Sequence, residues 1–321
     1  MRLKFDFDQH ELSLAKLGFG TWGLGGYAYG RLSDVKAKNI ISYAFKNGIR
    51  IFDTSPLYGA GRSEKLLGEV LASKSRSTFI LISKAGLTHD GKSEQRNFTS
   101  RALNYSLNDS LSRLQTNYLD YFLLHSPTPK EILHEQRNHY GLKTAINSKA
   151  ILNFGVSLKS PNDFSHISND KLVKSIEFNY SLMDQRASFL DVDSMKSGSI
   201  YKIARTPYNF GFLTESPPKK SPPRSRFNHL RNWSQQQFDS WHGFRKIWIK
   251  IAHSNNMPLE ELALAFVLSS NFVDVVIPGF MEVIQVDAAL NAARRGPLTE
   301  KSKEFLCEIY YETQSKYQVR K

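Results

Sequence analysis

Two short apolar runs flank a helical pattern in this chain: FILISK (79–84), TSRALNYSLNDSLSRL (99–114) and DYFLLH (120–125). Four leucines of the middle segment recur at the spacing of one helix face: Leu103, Leu107, Leu111 and Leu114. The flanking runs are continuously apolar rather than alternating, which is typical of strands covered on both faces of a parallel sheet. The stretch therefore predicts a strand, a helix and a second strand parallel to the first.

The same alternation continues along the 321-residue chain. Eight strands are predicted, at 14–24, 49–53, 79–84, 120–124, 151–157, 172–178, 199–205 and 273–277. The segments between and after them predict helices at 33–47, 63–71, 99–114, 141–148, 161–167, 188–196, 236–253, 259–269, 283–293 and 299–315. Residues 206–235 are rich in proline and basic side chains and predict a long irregular segment.

Eight strand–helix units in a chain of this length predict an α/β fold. The expected architecture is one (β/α)8 TIM barrel domain over residues 1–321, with long loops at its C-terminal face and extra C-terminal helices. The alternative is a doubly wound open sheet. No GxGxxG fingerprint follows a first strand, and GLGG at 23–26 is the nearest match.

Composition restricts the class of protein. Hydrophobic residues make up 40% and charged residues 23%, close to the globular average, and the one cysteine, Cys307, argues against a disulfide scaffold or a multi-cysteine zinc site. Residues 1–10 carry charges throughout, and no apolar run approaches the length that spans a bilayer, so a cytoplasmic protein without a membrane partner is expected. The net charge of +13 favours acidic partners or reflects a lysine-rich surface.

Polar side chains close three consecutive predicted strands. Asp53 ends the second, Lys84 the third and His125 the fourth, while Tyr58 follows Asp53 by five residues. Taken singly, each has an ordinary structural explanation as a cap, a surface charge or a packed ring. A barrel, however, brings the C-terminal ends of its strands together at the face that carries chemistry. The four side chains are therefore expected to form one site.

The sequence around these residues resembles a known family. DTSPLYGAGRSEKLLG (53–68) is similar to the aldo-keto reductase signature DTAxxYGxSExxLG. The resemblance extends to LGFGTWGLGG (17–26), DYFLLHSP (120–127), FGVS (154–157), NYSLMD (179–184), TPYNFGFLT (206–214) and VIPG (276–279). It implies an oxidoreductase that uses NADP or NAD, with Asp53, Tyr58, Lys84 and His125 as its catalytic residues.

The chemistry of that set is coherent. Carbonyl reduction needs a hydride at carbon and a proton at oxygen. A neighbouring ammonium, here Lys84 held by Asp53, is expected to lower the pKa of Tyr58 from its usual value near 10 so that it acts as general acid. His125 would orient and polarise the carbonyl. Nicotinamide would supply the hydride.

The resemblance also implies a set of cofactor-binding residues: Gly20, Thr21, Trp22, Asp53, Ser157, Glu177, Arg205, Thr206, Pro207, Tyr208, Gly211, Pro278, Gly279, Glu282 and Gln285. Three positions depart from the family pattern, with Leu158 for asparagine, Glu177 for glutamine and Arg205 for an aromatic residue. At the adenosine end, Glu282 would repel a 2′-phosphate, and no cation is evident nearby unless Arg294 or Arg295 reaches back. We therefore predict that NADH binds at least as well as NADPH.

The substrate is less defined by the sequence. Trp22, Tyr27 and Tyr29 would line an aromatic pocket that suits sugars and aryl aldehydes alike. The alternative function is a cofactor-binding regulatory or partner subunit with little turnover. Nucleic-acid binding is not expected, since no basic run with interleaved aromatics occurs. No metal site is expected either, since the chain has one cysteine. The oligomeric state and the role of the loop at 214–235 stay open.

Overall fold

The computed structural model describes Phe5 and residues 13–90, 92–136, 139–190 and 200–317. Its strands, in chain order, are β1 (Phe19–Gly20), β2 (Ile51–Asp53), β3 (Ile80–Ala85), β4 (Leu87–His89), β5 (Glu94–Arg96), β6 (Leu119–His125), β7 (Ile151–Ser157), β8 (Val173–Asn179), β9 (Tyr201–Arg205) and β10 (Val275–Ile277). All of these except β4 and β5 form one parallel sheet in the order β1-β2-β3-β6-β7-β8-β9-β10.

The sheet curls into a nearly closed barrel. Parallel bridges join Leu17 to Val276 and Gly20 to Gly279, so the edge of β1 meets the edge of β10. The backbone N–H of Gly18 donates to the carbonyl of Val276 at 2.8 Å, and the N–H of Gly20 donates to that of Pro278 at 2.8 Å. The predicted (β/α)8 barrel is therefore confirmed, and the open doubly wound sheet is excluded.

Helices cover the outside of the barrel. They are α1 (Asp34–Lys46), α2 (Arg62–Leu71), α3 (Ser100–Leu114), α4 (Pro129–Gln136), α5 (Lys143–Asn147), α6 (Gln235–Ser254), α7 (Leu259–Leu268), α8 (Val283–Arg295) and α9 (Glu300–Thr313). Side-chain hydroxyls begin three of them by accepting a backbone N–H from the first turn: Ser33, Thr99 and Ser234. No helix within the described ranges is long and apolar enough to cross a membrane.

Two apolar layers hold the barrel. Inside it, branched side chains from five strands fill the lumen: Ile51, Ile82, Leu123, Ile203, Val275 and Ile277. A much larger cluster packs between the outer face of the strands and the helices. Because both faces of each strand are buried, the strands read as unbroken apolar runs in the sequence.

Two local predictions need correction, and two elements were not predicted. The first strand is limited to Phe19–Gly20, because the chain coils into 3-10 turns before and after it, at Ser13–Lys16 and Trp22–Gly25. Helix α4 was not predicted. The hairpin β4–β5 was not predicted either, since Glu94–Arg96 is exposed and lacks any apolar pattern. The segment predicted as a helix at 161–167 is a 3-10 helix, Pro161–His166.

The predicted helix at 188–196 lies mostly outside the described residues. Its described start belongs to a 3-10 turn, Arg186–Phe189. The long segment after β9 is irregular as predicted, apart from the short 3-10 turns Asn209–Gly211 and His229–Asn232.

Candidate active site

Four polar side chains meet at the C-terminal ends of three adjacent strands. Asp53 ends β2, Lys84 is the last but one residue of β3 and His125 ends β6. The ammonium of Lys84 donates to Asp53 Oδ2, lies 3.4 Å from Tyr58 Oη and donates to the carbonyl of Thr54 at 3.3 Å. The structure thus brings together the four residues that the sequence selected.

Lys84 contacts a second carboxylate that the sequence did not connect with it. Glu177 of β8 places Oε2 3.2 Å from Lys84 Nζ, and both side chains are almost fully buried. The guanidinium of Arg205 lies on the other side of Glu177, with Nε 3.3 Å from Oε1. Lys84 and Arg205 therefore lie against the acidic groups Asp53 and Glu177 in the interior of the barrel mouth, where a buried charge needs a partner. Burial raises the pKa of Asp53 to about 8, although Lys84 acts in the opposite direction.

The protonation of Tyr58 differs from the sequence prediction. Burial raises the pKa of Tyr58 well above its usual value, while Lys84 acts in the opposite direction and does not outweigh it. Burial also opposes the charge of Lys84, but the carboxylates of Asp53 and Glu177 raise its pKa overall. The site therefore holds a protonated phenol beside a charged ammonium, so the expected net lowering of the tyrosine pKa was wrong.

His125 is held as a neutral ring. Burial lowers its pKa well below the usual value, and the positive charges of Lys84, Arg205 and Arg96 lower it further. Its Nδ1 lies 3.0 Å from Ser55 Oγ. The ring meets that of Tyr58 edge-on, with centroids 5.8 Å apart.

The loop that carries Tyr58 rests directly on the loop after β1. A Cβ on Gly25 would lie 2.7 Å from both the carbonyl carbon of Tyr58 and the nitrogen of Gly59. Gly59 has a φ of +67° and faces the carbonyl of Gly25. Only glycine at both positions allows this approach, which fixes the backbone of Tyr58 against the barrel.

Replacing Gly25 with alanine is expected to destabilise the protein by about 1–3 kcal/mol, because the new methyl group overlaps the backbone of Tyr58 and Gly59. Thermal unfolding of the cofactor-free chain measures the effect. The matched control is Gly279→Ala, whose Cβ would meet its nearest neighbour, the carbonyl of Gly20, at 3.8 Å. Equal melting temperatures for the two variants would contradict the proposed contact.

Glu64 is a buried residue of the quoted motif that the sequence reasoning did not single out. Ser83, beside Lys84 on β3, donates to Glu64 Oε1 at 2.7 Å, and Arg113 donates to Oε2 at 2.7 Å. The carboxylate therefore ties α2 to β3 and α3 at the level of Lys84. The acidic position of the signature DTAxxYGxSExxLG, which Glu64 matches, is the signal that could have found it.

The predicted nicotinamide residues cluster on β7, β8 and β9. Ser157 donates to Glu177 Oε1 at 2.9 Å, whereas Glu177 Oε2 accepts no hydrogen bond from the described residues. Arg205 donates to Asn179 Oδ1 at 2.5 Å and to the carbonyl of Leu158 at 2.9 Å. Glu177 Oε2 is paired with Lys84 by charge at 3.2 Å but keeps an acceptor position that could take a hydrogen bond from the amide group of a nicotinamide, so these residues are compatible with the cofactor.

The remaining predicted cofactor residues border the same mouth. Thr21 donates to the carbonyl of Asp53 at 2.9 Å and lies beside Gly20 and Trp22. The turn after β9 carries Thr206, Pro207, Tyr208 and Gly211, and Thr206 adopts a φ of +59° while donating to Asn179 at 2.9 Å. Pro278 and Gly279 follow β10, and Gly279 pairs with Gly20 where the barrel closes.

The predicted adenosine end contains a cation that the sequence did not reveal. Lys36 of α1 lies 3.0 Å from Glu282, which precedes α8, and both side chains are about half exposed. The expectation that no cation lies near Glu282 was therefore wrong. Arg294 and Arg295 end the 13-residue helix α8, about 18 Å from its start, and Arg295 contacts Glu261 at 2.8 Å.

Gln285 caps the start of the same helix. Its side-chain oxygen accepts the backbone N–H of Met281 at 2.7 Å and that of Glu282 at 3.2 Å. This leaves the amide nitrogen of Gln285 as the group that could still contact a ligand.

A cluster of aromatic rings, here called the aromatic wall, lies beside Tyr58 and consists of Trp22, Tyr29, Phe210 and His229. The ring centroid of Trp22 lies 6.4 Å from that of Tyr58, 5.5 Å from Tyr29 and 4.5 Å from His229. Phe210 joins the same cluster. Tyr27 lies farther out, where its ring stacks on His89 and Phe227.

Residues 225–233 of the basic segment, here called the strap, pair with the loop after β1. Tyr29 and Asn228 form an antiparallel bridge. The N–H of Gly30 donates to Phe227 at 2.9 Å, and that of His229 donates to Ala28 at 3.0 Å. The strap therefore supplies His229 to the aromatic wall and closes one side of the mouth.

Comparison with known proteins identifies the family to which the chain belongs. The profile described as "Aldo/keto reductase family" matches residues 16–310 of the chain. The chain is 27% identical over 292 residues to an uncharacterized oxidoreductase of Bacillus subtilis, covering 90% of each sequence. It is 24% identical over 291 residues to D-threo-aldose 1-dehydrogenase of a Pseudomonas species, covering 84% of this chain and 86% of that one.

Among solved structures, the chain is similar to an aldo/keto reductase from Klebsiella pneumoniae in complex with NADP and acetate. The TM-score is 0.67 at 20% sequence identity, over 92% of this chain and 91% of the other. At this identity the likeness bears on the fold alone.

Proposed function

Because the chain belongs to the aldo/keto reductase family, we propose that it is a nicotinamide-dependent oxidoreductase that reduces an aldehyde, ketone or sugar carbonyl, or oxidises the matching alcohol. The observation that carries this proposal is the contact of Lys84 with both Asp53 and Tyr58 at the ends of neighbouring strands. The proposal is supported by a phenol that has a charged ammonium and a neutral imidazole as neighbours.

In this mechanism Tyr58 gives its proton to the carbonyl oxygen, and Lys84 stabilises the phenolate that remains. His125 holds the carbonyl oxygen by a hydrogen bond. Asp53 and Glu177 keep Lys84 charged and in place. Ser157, Glu177 and Arg205 would hold the nicotinamide, which supplies the hydride when bound.

The aromatic wall supports substrates with a flat or ring-shaped body. The ring of Trp22 lies beside Tyr58, and those of Tyr29 and His229 pack against Trp22. Aromatic rings pack well against the C–H faces of a sugar or against an aryl group. The Pseudomonas relative is named for an aldose, which favours testing sugars first.

Oxidation of NADH and NADPH, followed by absorbance with a panel of aldoses, short aldehydes and aryl aldehydes, tests the proposal. The reverse reaction is assayed with NAD+ or NADP+ and the matching alcohols. Turnover with at least one carbonyl class is expected. Cofactor binding without turnover across the panel would favour the alternative of a regulatory or partner subunit.

One observation favours that alternative. In the nicotinamide region the hydroxyl of Ser157 donates its hydrogen bond to Glu177. Leu158 stands where the family pattern has asparagine and has no polar side chain. Neither residue therefore offers the cofactor the hydrogen-bond donor that the family pattern implies. The intact set around Lys84 argues for catalysis instead.

The cofactor prediction is that NADH binds at least as tightly as NADPH. A 2′-phosphate placed next to Glu282 meets a like charge, which Lys36 only partly offsets since both side chains are exposed. Changing Glu282 to arginine is expected to favour NADPH by about fivefold to tenfold. Dissociation constants from quenching of tryptophan fluorescence provide the measurement.

Glu312→Arg, an identical charge change at an exposed position of α9, is the control and should leave the NADH to NADPH ratio unchanged. A wild-type protein that binds NADPH about tenfold more tightly than NADH contradicts the prediction. An unchanged ratio in the Glu282 variant would place that side chain away from the 2′ position.

A further inference from the structure

Ser55 is a buried hydroxyl that joins the loop of Tyr58 to His125. It is fully buried, stands where the quoted signature has alanine, and lies 3.0 Å from His125 Nδ1. The same oxygen accepts the backbone N–H of Leu57 at 3.1 Å. The carbonyl of Ser55 accepts the N–H of Tyr58 at 3.0 Å, so one residue contacts both sides of the candidate site.

The hydrogen bonds of Ser55 determine whether the hydrogen between Ser55 Oγ and His125 Nδ1 belongs to the hydroxyl or to the ring. A serine hydroxyl has one donor and two acceptor positions, and the N–H of Leu57 occupies one acceptor position. Among the described residues, His125 Nδ1 is the remaining polar atom in hydrogen-bond contact with Ser55 Oγ. If Nδ1 carried a hydrogen, the buried hydroxyl hydrogen would have no acceptor, at a cost of about 1–3 kcal/mol.

We propose that Ser55 donates its hydrogen bond to His125 Nδ1 and so fixes the imidazole as the tautomer protonated at Nε2. This inference rests on the proposed function, in which a neutral His125 holds the carbonyl oxygen. A neutral imidazole has one N–H, and it can donate from Nε2 only when Nδ1 is the acceptor. Ser55 is therefore a positioning residue that keeps His125 a donor to the substrate.

The charges around the ring agree with a neutral state. Lys84 of β3, Arg205 of β9 and Arg96 of β5 all disfavour a second proton on His125. The neighbouring Tyr58 is a neutral phenol, and no carboxylate in the described ranges forms an ion pair with the ring. The Ser55 hydroxyl is thus left to select between the two neutral tautomers.

Nitrogen-15 NMR of the full-length protein with labelled histidines tests the proposal directly. His125→Gln identifies the ring signals among those of the nine histidines. The expected wild-type spectrum, with and without NADH, shows an unprotonated, hydrogen-bonded Nδ1 and a protonated Nε2. A proton on Nδ1, or on both nitrogens at neutral pH, overturns the proposal.

Ser55→Ala supplies the second measurement. Loss of the donor should move the Nδ1 signal and lower kcat for carbonyl reduction about tenfold, with a smaller change in KM. Ser175→Ala is the control, since it removes a buried hydroxyl that has no hydrogen-bond partner within the described residues. An unmoved Nδ1 signal together with wild-type kcat in Ser55→Ala overturns the inference. Absence of turnover in the wild type would instead count against the proposed function. In that case the Nδ1 signal alone tests the role of Ser55.

Discussion

Replacing Tyr58 with phenylalanine is expected to lower kcat for carbonyl reduction by about two to four orders of magnitude, because the change removes the proposed proton donor and little else. The phenol lies 3.4 Å from Lys84 Nζ and in contact with the rings of Trp22 and His125. Burial keeps the phenol protonated through neutral pH, which suits a general acid in the reduction direction. Steady-state kinetics with the best carbonyl substrate provide the measurement.

Two comparisons make the Tyr58 result specific. Cofactor affinity, measured by tryptophan fluorescence, should be unchanged in Tyr58→Phe, because the phenol acts on the substrate. Tyr29→Phe removes a second phenol of the same aromatic wall and should keep most of the activity. Wild-type turnover in Tyr58→Phe would show that another group supplies the proton.

Replacing Lys84 with methionine is expected to cost about as much activity as losing the phenol, because the ammonium stabilises the phenolate that forms when Tyr58 gives up its proton. The double variant with Tyr58→Phe should then be little worse than either single variant. Residues that act as one unit show such strong non-additivity. The measurement is log kcat for the wild type, the two single variants and the double variant.

Lys84→Met also leaves the carboxylates of Asp53 and Glu177 buried without their shared cation, so it carries a folding risk. Combining it with Glu177→Gln removes one of those charges, and Glu177→Gln alone is then the reference, because Glu177 is also expected to contact the nicotinamide. Circular dichroism and thermal unfolding establish that each variant is folded. Additive losses in folded variants would mean that Lys84 acts independently of Tyr58.

The barrel and the position of its site were predictable because both follow from short-range patterns. Continuous apolar runs define the strands, and Asp53, Lys84 and His125 close three successive runs. Parallel strands place their C-terminal ends on one face, so the meeting of these side chains required no knowledge of distant contacts.

The features that were missed depend on contacts between residues far apart in sequence. Lys36 and Glu282 belong to helices at opposite ends of the chain, and they meet only because the barrel closes. Glu177 gives no sign in the sequence that its carboxylate lies against Lys84. The pKa of Tyr58 depends on how deeply the phenol is buried, which residue order does not reveal.

The closure between β1 and β10 also bears on how the chain folds. Among the other neighbouring pairs of barrel strands, β9 and β10 are the farthest apart in the chain, with α6 and α7 between them, whereas Leu17 and Val276 pair across almost the whole chain. Bringing such distant segments together costs the most chain entropy, so this pairing is expected to form late, after the intervening units have assembled. Until β10 is in place, β1 has an unpaired edge, and a chain that stops before Val275 exposes a strand edge able to pair with another molecule. The segment from Val275 onward is therefore expected to protect the folding intermediate against aggregation.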